Sequence, residues 1–296
     1  MEKTKIIIDT DIGDDIDDAL ALALALECPE LEILGITTVY KNTLLRTKMV
    51  KALLSAYNRQ DIPVIMGCGT PFVKRVDTEE IPHQYKAINE DFPVDSTITA
   101  AEFIIKTLKE HPETVIVPIG AQTNIALAFM LAPEVMKKAK ILCMGGVFNT
   151  TFPEWNIDCD PEAAKLLCDF AIDLTYVGLD VTTKVFLSKA HIENIRQNTR
   201  PQVRFLHSLM QKWFDSGAGG VLLHDPLTIA YLVSPQLLEM QPANVYIELT
   251  GQKTRGVTFD AKNPFTGGSE IANRHNIAVN VNADSFINLF MSRVFY

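Results

Sequence analysis

A strand that runs straight into a crowd of carboxylates constrains this 296-residue chain more than any other feature. The stretch "IIIDTDIGDDIDDALALALAL" (6–26) places Asp9, Asp11, Asp14, Asp15, Asp17 and Asp18 between an apolar run and an Ala/Leu helix. A helix start favours Asp as a cap and in its first turn, where it meets the positive end of the dipole. That accounts for one or two of the six. Asp9 and Asp11 close a buried strand and need another reason. Like charges a few ångströms apart raise one another's pKa or demand a counter-ion. A hard divalent cation held by oxygens is the economical answer.

The rest of the chain repeats the strand-then-helix rhythm. Short apolar runs at 5–9, 31–40, 62–67, 114–120, 140–146 and 172–181 predict buried strands. Helical spacing predicts helices from Asp17 to Cys28, over "LLRTKMVKALLSAY", and at about 97–110, 123–131 and 161–169. Such alternation implies an α/β fold: a Rossmann-like, open, mostly parallel sheet with helices on both faces. Its active site then belongs outside the carboxyl ends of the strands. Residues 68–95, with Pro71, Pro82 and Pro93, predict a long loop or lid, and 244–263 a hairpin turning at Gly251-Gln252. With no linker or repeat, residues 1–296 are expected to form one domain.

A net charge of −9 without a Lys/Arg cluster argues against a nucleic-acid partner. The five cysteines lack any CxxC pair and are expected to be reduced and packed as small apolar residues. "MEKTKIIID" turns acidic too soon for a signal peptide, and "ALALALAL" is far short of a membrane span, so a cytoplasmic chain with no membrane contact is expected.

Three acid chemistries compete for the opening. An EF-hand loop counted from Asp9 would need Gly where Asp14 stands and Glu where Leu20 stands, so it fails. A haloacid-dehalogenase-type phosphatase would make Asp9 the nucleophile and Asp11 the acid/base. Its usual Gly-Thr continuation is here Ile12-Gly13, and it stays as the alternative. Third, "DTDIGDDIDDALAL" resembles the Asp-x-Asp-x-Gly-x-Asp-Asp-Ala signature of the inosine-uridine-type nucleoside hydrolases. Four further segments resemble that family in the same order: "ITTVYKNT" (36–43), "IGAQTNIALA" (119–128), "GGVFNTTFPEWNIDCDPEAA" (145–164) and "LLHDPLTIAYL" (222–232).

The resemblance implies the nucleoside hydrolase fold and cleavage of the N-glycosidic bond of a small-molecule ribonucleoside with a bound calcium ion. It implies that Asp11 is both a calcium ligand and the base on the attacking water. Asp18, the Thr123 carbonyl and Asp225 would complete the protein ligands, and Asp17 would bind the ribose 2′-hydroxyl. Asn42 would orient water or sugar, Glu154 and Asn156 would bind the far ribose hydroxyls, and Asn149 is a further sugar contact. His224, beside Asp225, is the acid candidate for the leaving base, since a histidine titrates near neutral pH. Family members are dimers or tetramers, so a homo-oligomer is expected.

Two departures bear on these assignments. Asp14, Asp15 and Ile16 stand where the signature has one residue, so Asp15 competes with the Asp17-Asp18 pair as ligand, while Asp14 reads as a helix-start carboxylate. Asp9 reads as a carboxylate that orients the ligands or the turn. The family's His-Gly-x-x-Gly loop is here "IPHQYKAINEDFP" (81–93); His83 and Tyr85 either reach the base or pack the lid. Trp155 replaces the family's usual Phe, as a base contact or as loop packing. A ribose- or calcium-binding homologue without activity is the remaining alternative.

Overall fold

The computed structural model describes residues 3–261 and 275–296. Strands and helices alternate as the periodicity predicts. The first half runs β1 (Thr4–Thr10), α1 (Asp17–Leu26), β2 (Leu31–Thr38), α2 (Thr43–Ala56) and β3 (Val64–Ile65). The segment read as a long loop is irregular apart from one 3-10 turn at His83–Ala87. Then come α3 (Ala100–Glu110), β4 (Val115–Pro118), α4 (Thr123–Leu131), the single turn α5 (Pro133–Met136) and β5 (Lys140–Met144). They are followed by α6 (Trp155–Cys159), α7 (Pro161–Phe170), β6 (Asp173–Val177) and α8 (Leu179–Thr182). Next are β7 (Phe186–Leu187), α9 (Lys189–Gln197), α10 (Pro201–Asp215), β8 (Val221–Leu222) and α11 (His224–Val233). The chain finishes with β9 (Leu238–Ala243), the antiparallel hairpin of β10 (Val245–Ile247) and β11 (Thr258–Asp260), β12 (His275–Val281) and α12 (Ala283–Val294). The predicted hairpin over 244–263 is thus present as far as 261; residues 262 and 263 lie outside the described residues.

Among the described residues, eight strands form the main sheet in the order β3-β2-β1-β4-β5-β6-β12-β9. All neighbours are parallel except β9, which runs antiparallel to β12. Because side chains alternate across a strand, Ile6 and Ile8 point into a core with α1, α2, α10 and α11. Ile7 points the other way, into a core with α3, α4 and α7. The last two strands were not among the predicted six. β9 carries Pro242 with outward Glu239 and Gln241, an edge pattern without a continuous apolar run.

The strand order reverses between β1 and β4, so their connecting chains leave to opposite sides and open a crevice at the carboxyl ends. The acidic loop starts where β1 ends, and the "IGAQTN" turn starts where β4 ends. Helix α1 accounts for its Ala/Leu composition: every residue from Asp17 to Ala25 is buried, which suits a helix packed on all sides. Among the described residues no helix is long and apolar enough to cross a membrane.

Candidate active site

The crevice holds one cavity, whose walls include Asp11, Asp14, Asp15, Asp17 and Asp18 on one side and His224 and Asp225 on another. Two helix starts meet there. Asp17 and Asp18 occupy the first turn of α1, His224 and Asp225 the first turn of α11, and the Asp225 amide donates to Asp17 Oδ2 at 3.3 Å. Both N-termini present partial positive charge, which offsets part of the repulsion among the carboxylates. Thr10 Oγ1 donates to Asp18 Oδ1 at 2.5 Å and accepts from the Ile12 amide at 3.1 Å, tying the end of β1 to α1.

The offset is incomplete. Burial, the largest cause, lifts the Asp11 carboxyl to about 7, against the pull of the Arg46 guanidinium. Burial and the neighbouring aspartates push Asp15, Asp18 and Asp225 well above the usual carboxylate range. Asp17 is raised by burial as well. His224 is shifted the opposite way: burial lowers it, with the charge of Asp15 opposing. Carboxylate oxygens of Asp15, Asp17 and Asp18 lie within 4.8 Å of one another. The charge of Asp17 adds to the rise at Asp15, a repulsion that only protonation or a cation relieves. A hard cation relieves that repulsion without protonation, and an all-oxygen donor set is what such a cation takes. The residues therefore fit an oxygen-bound divalent metal.

The other walls come from later segments. Glu154 caps α6: Oε1 accepts from the Asn156 amide at 2.9 Å, while Oε2 accepts from Gly146 at 3.0 Å and Ile157 at 3.1 Å. Asn156 Nδ2 donates to the Ile119 carbonyl at 3.2 Å, linking α6 to the end of β4. Trp155, between them, is exposed yet lines the cavity mouth, with Lys74 Nζ 6.0 Å from its ring centre. Gly120 leaves room for Asp11: a Cβ there would lie 2.5 Å from Asp11 Oδ1.

Burial lifts the Glu154 carboxyl to about 7 despite its three backbone donors. A carboxyl whose folded pKa is raised contributes stability below its unfolded pKa and loses it as pH rises through the folded pKa. The metal-free protein is therefore expected to lose stability between pH 4.5 and about 7, with ~3 kcal/mol of that slope from Glu154. Glu154→Gln should flatten it. Melting curves recorded across this range in chelator check the slope, and an unchanged slope in the variant contradicts it.

Several predicted residues lie elsewhere. Asn42 caps α2, its Oδ1 accepting from the Leu45 amide at 3.1 Å, and it does not line the cavity. Thr123 opens α4, with Oγ1 donating to Asp160 Oδ2 at 2.6 Å. Asn149 and His83 are exposed and Tyr85 is half-buried against the core; none of the three lines the cavity. Asp14, expected at the helix start, lies in the bend before α1 and pairs with Arg46 at 2.8 Å. Asp9 is fully buried below the cavity, where Thr37 Oγ1 and Asn124 Nδ2 both donate to its Oδ1. Burial raises it to about 7.

Residues that did not stand out in the sequence hold this arrangement. Arg46, fully buried on α2, donates to the carbonyls of Asp11, Ile12 and Tyr40 and to Asp14 Oδ2. It joins the acidic loop to the turn after β2, where Tyr40 and Lys41 hold left-handed φ values of 67° and 55°. Gln84, also fully buried, donates from Nε2 to the Asp15 carbonyl and from its amide to the Gly13 carbonyl at 3.0 Å. Thus the 83–87 turn braces the acidic loop through Gln84, with His83 facing out. Arg46→Met leaves three carbonyls and Asp14 without their donor, so a loss of about 3–5 kcal/mol is expected in denaturant unfolding. A loss below ~1 kcal/mol would contradict this role.

An open, mostly parallel sheet with a buried carboxylate cluster and a histidine at its switch point defines an α/β enzyme-type site that suits a hard metal ion. Comparison with known proteins narrows the class. The sequence matches the inosine-uridine preferring nucleoside hydrolase family over residues 6–288. It is 35% identical to the pyrimidine-specific ribonucleoside hydrolase RihA of Salmonella gallinarum, covering 98% of each chain. The fold superposes on a plant nucleoside hydrolase with a TM-score of 0.87 at 27% identity, over 98% of both chains. It also superposes on the purine-preferring ribonucleoside hydrolase of Gardnerella vaginalis with a TM-score of 0.82 at 31% identity, again over 98% of both. The chain belongs to the inosine-uridine preferring nucleoside hydrolase family, enzymes that act on N-glycosyl compounds. The phosphatase alternative gains no support: Asp9, its required nucleophile, is sealed beneath the cavity. Nor do the relatives support a binding protein without activity.

Proposed function

We propose that this chain hydrolyses the N-glycosidic bond of ribonucleosides, giving ribose and free base. The observation that carries the proposal is the meeting of Asp11, Asp17, Asp18, Asp225 and His224 around one cavity at the sheet's switch point. The bond breaks through an oxocarbenium-like state, with positive charge on the sugar and negative charge on the departing base. The buried carboxylates supply anionic surroundings for the first, and His224 supplies a proton for the second. Asp11 takes a proton from the attacking water. Asp17 binds the ribose 2′-hydroxyl and Glu154 and Asn156 the far hydroxyls; Asn42 and Asn149, which stand outside the cavity wall, would orient the sugar or the water only after moving toward it. Trp155 at the mouth faces the base, with His83 and Tyr85 as lid residues beyond it.

Calcium is the cation proposed, held by Asp11, Asp18, Asp225 and the Thr123 carbonyl, with Asp15 the alternative donor. When bound it supplies a water of lowered pKa and a partner for vicinal hydroxyls. The same reading has one domain working in the cytoplasm as a homodimer or homotetramer, a state that light scattering measures.

The test is base release from matched ribonucleosides and 2′-deoxyribonucleosides, both purine and pyrimidine, because the relatives divide between them. Ribosides should be cleaved and deoxyribosides nearly inert. Equal rates on the two series would contradict recognition of the 2′-hydroxyl by Asp17.

A further inference from the structure

We infer that Thr182 is a positioning residue for His224, an inference that rests on the reading of His224 as the acid. Thr182 Oγ1 lies 2.7 Å from His224 Nδ1, and the Thr182 side chain is fully buried. The fold brings these two together by register. β7 and β8 pair Phe186 with Leu222 and Leu187 with Val221. One step on, the Leu223 amide donates to the Val185 carbonyl at 3.1 Å. His224 therefore begins α11 directly opposite the end of α8, where Thr182 stands.

Helix α8 is itself fixed. The Thr182 amide donates to the Gly178 carbonyl at 3.1 Å, and the Leu179 amide donates to the Gly146 carbonyl at 2.9 Å. A Cβ at Gly178 would stand 2.7 Å from that Gly146 oxygen, so the turn has little freedom to shift. The hydroxyl is thus a rigid partner for one ring nitrogen, which leaves Nε2 as the nitrogen available to the cavity that His224 lines. A hydroxyl both donates and accepts, so it keeps the ring in place whether or not Nδ1 carries a proton. Acid catalysis needs that aim, since a displacement of about 1 Å is enough to cost roughly 100-fold.

The experiment compares Thr182→Val, Thr182→Ser and His224→Ala on a natural ribonucleoside and on nitrophenyl riboside, whose leaving group needs little protonation. Thr182→Val should lower kcat on the nucleoside by roughly 10–100-fold with KM little changed. It should leave nitrophenyl riboside nearly untouched, and Thr182→Ser should restore most of the lost rate. If His224→Ala is selective for the nucleoside but Thr182→Val slows both substrates equally, or neither, the positioning role is wrong and the acid stands. If His224→Ala itself slows both substrates equally, the acid reading fails and Thr182 loses its role with it.

Discussion

Asp11→Asn is expected to lower ribonucleoside turnover by roughly 10⁴-fold with calcium at saturation, the upper end for loss of a base positioned on its water. Three features of the site make Asp11 hard to replace. Its carboxylate fits against Gly120, where no side chain is tolerated. Its backbone carbonyl is gripped by Arg46, and the same guanidinium opposes the rise in its pKa. The amide of Asn keeps the size and removes both the base and a charged donor oxygen. Single-turnover rates, with a melting curve to confirm folding, are the measurement. A loss of less than about 10-fold would show that another carboxylate takes the proton.

His224→Ala is expected to cost roughly 10²–10⁴-fold on natural nucleosides and much less on nitrophenyl riboside. The contrast isolates proton transfer to the leaving group, because sugar recognition and water attack are common to both substrates. Burial holds the His224 pKa below its ordinary value, so the charged acid is populated more as pH falls. The nucleoside rate should therefore decline on the alkaline side earlier than an unperturbed histidine would give, and that limb should disappear with nitrophenyl riboside. Equal losses on the two substrates would remove the acid assignment.

Much of this site was legible because its residues are local. Asp11, Asp17 and Asp18 share one strand-to-helix turn, His224 and Asp225 one helix start, and Glu154 and Asn156 one cap. The buried helix α1 could be read from its unbroken Ala/Leu run, and the six predicted strands from short apolar runs. What stayed hidden depends on partners distant in sequence. Arg46 in "TLLRTKMV" looks like the charged face of an amphipathic helix until the acidic loop folds over it. Gln84 is equally ordinary in sequence, and attention falls on its neighbours His83 and Tyr85, whereas the structure uses Gln84 to hold the acidic loop. Thr182 is one threonine among many until the β7–β8 register sets it against His224. The edge strand β9 lacked an apolar signal because the sheet edge makes weak demands on outward side chains, whereas β12, paired on both sides, has its apolar run broken by Asn276 and Asn280.

The two extra residues of the opening loop also gain a physical account. Asp14 meets Arg46, and Asp15 turns back toward Asp17 and Asp18, so the longer loop adds one anchor and one carboxylate to the cluster. Ordered this way, the cluster concentrates negative charge in a buried crevice, which a hard cation relieves.

The most direct test of that account is release of free base and ribose from a purine and pyrimidine ribonucleoside panel, with calcium present and after exhaustive chelation. Calcium-dependent release, lost on chelation and restored by adding the ion back, is the result the account predicts. Undiminished release in chelator would contradict the metal role of the carboxylates, and no release from any riboside with calcium tightly bound would contradict the proposed activity.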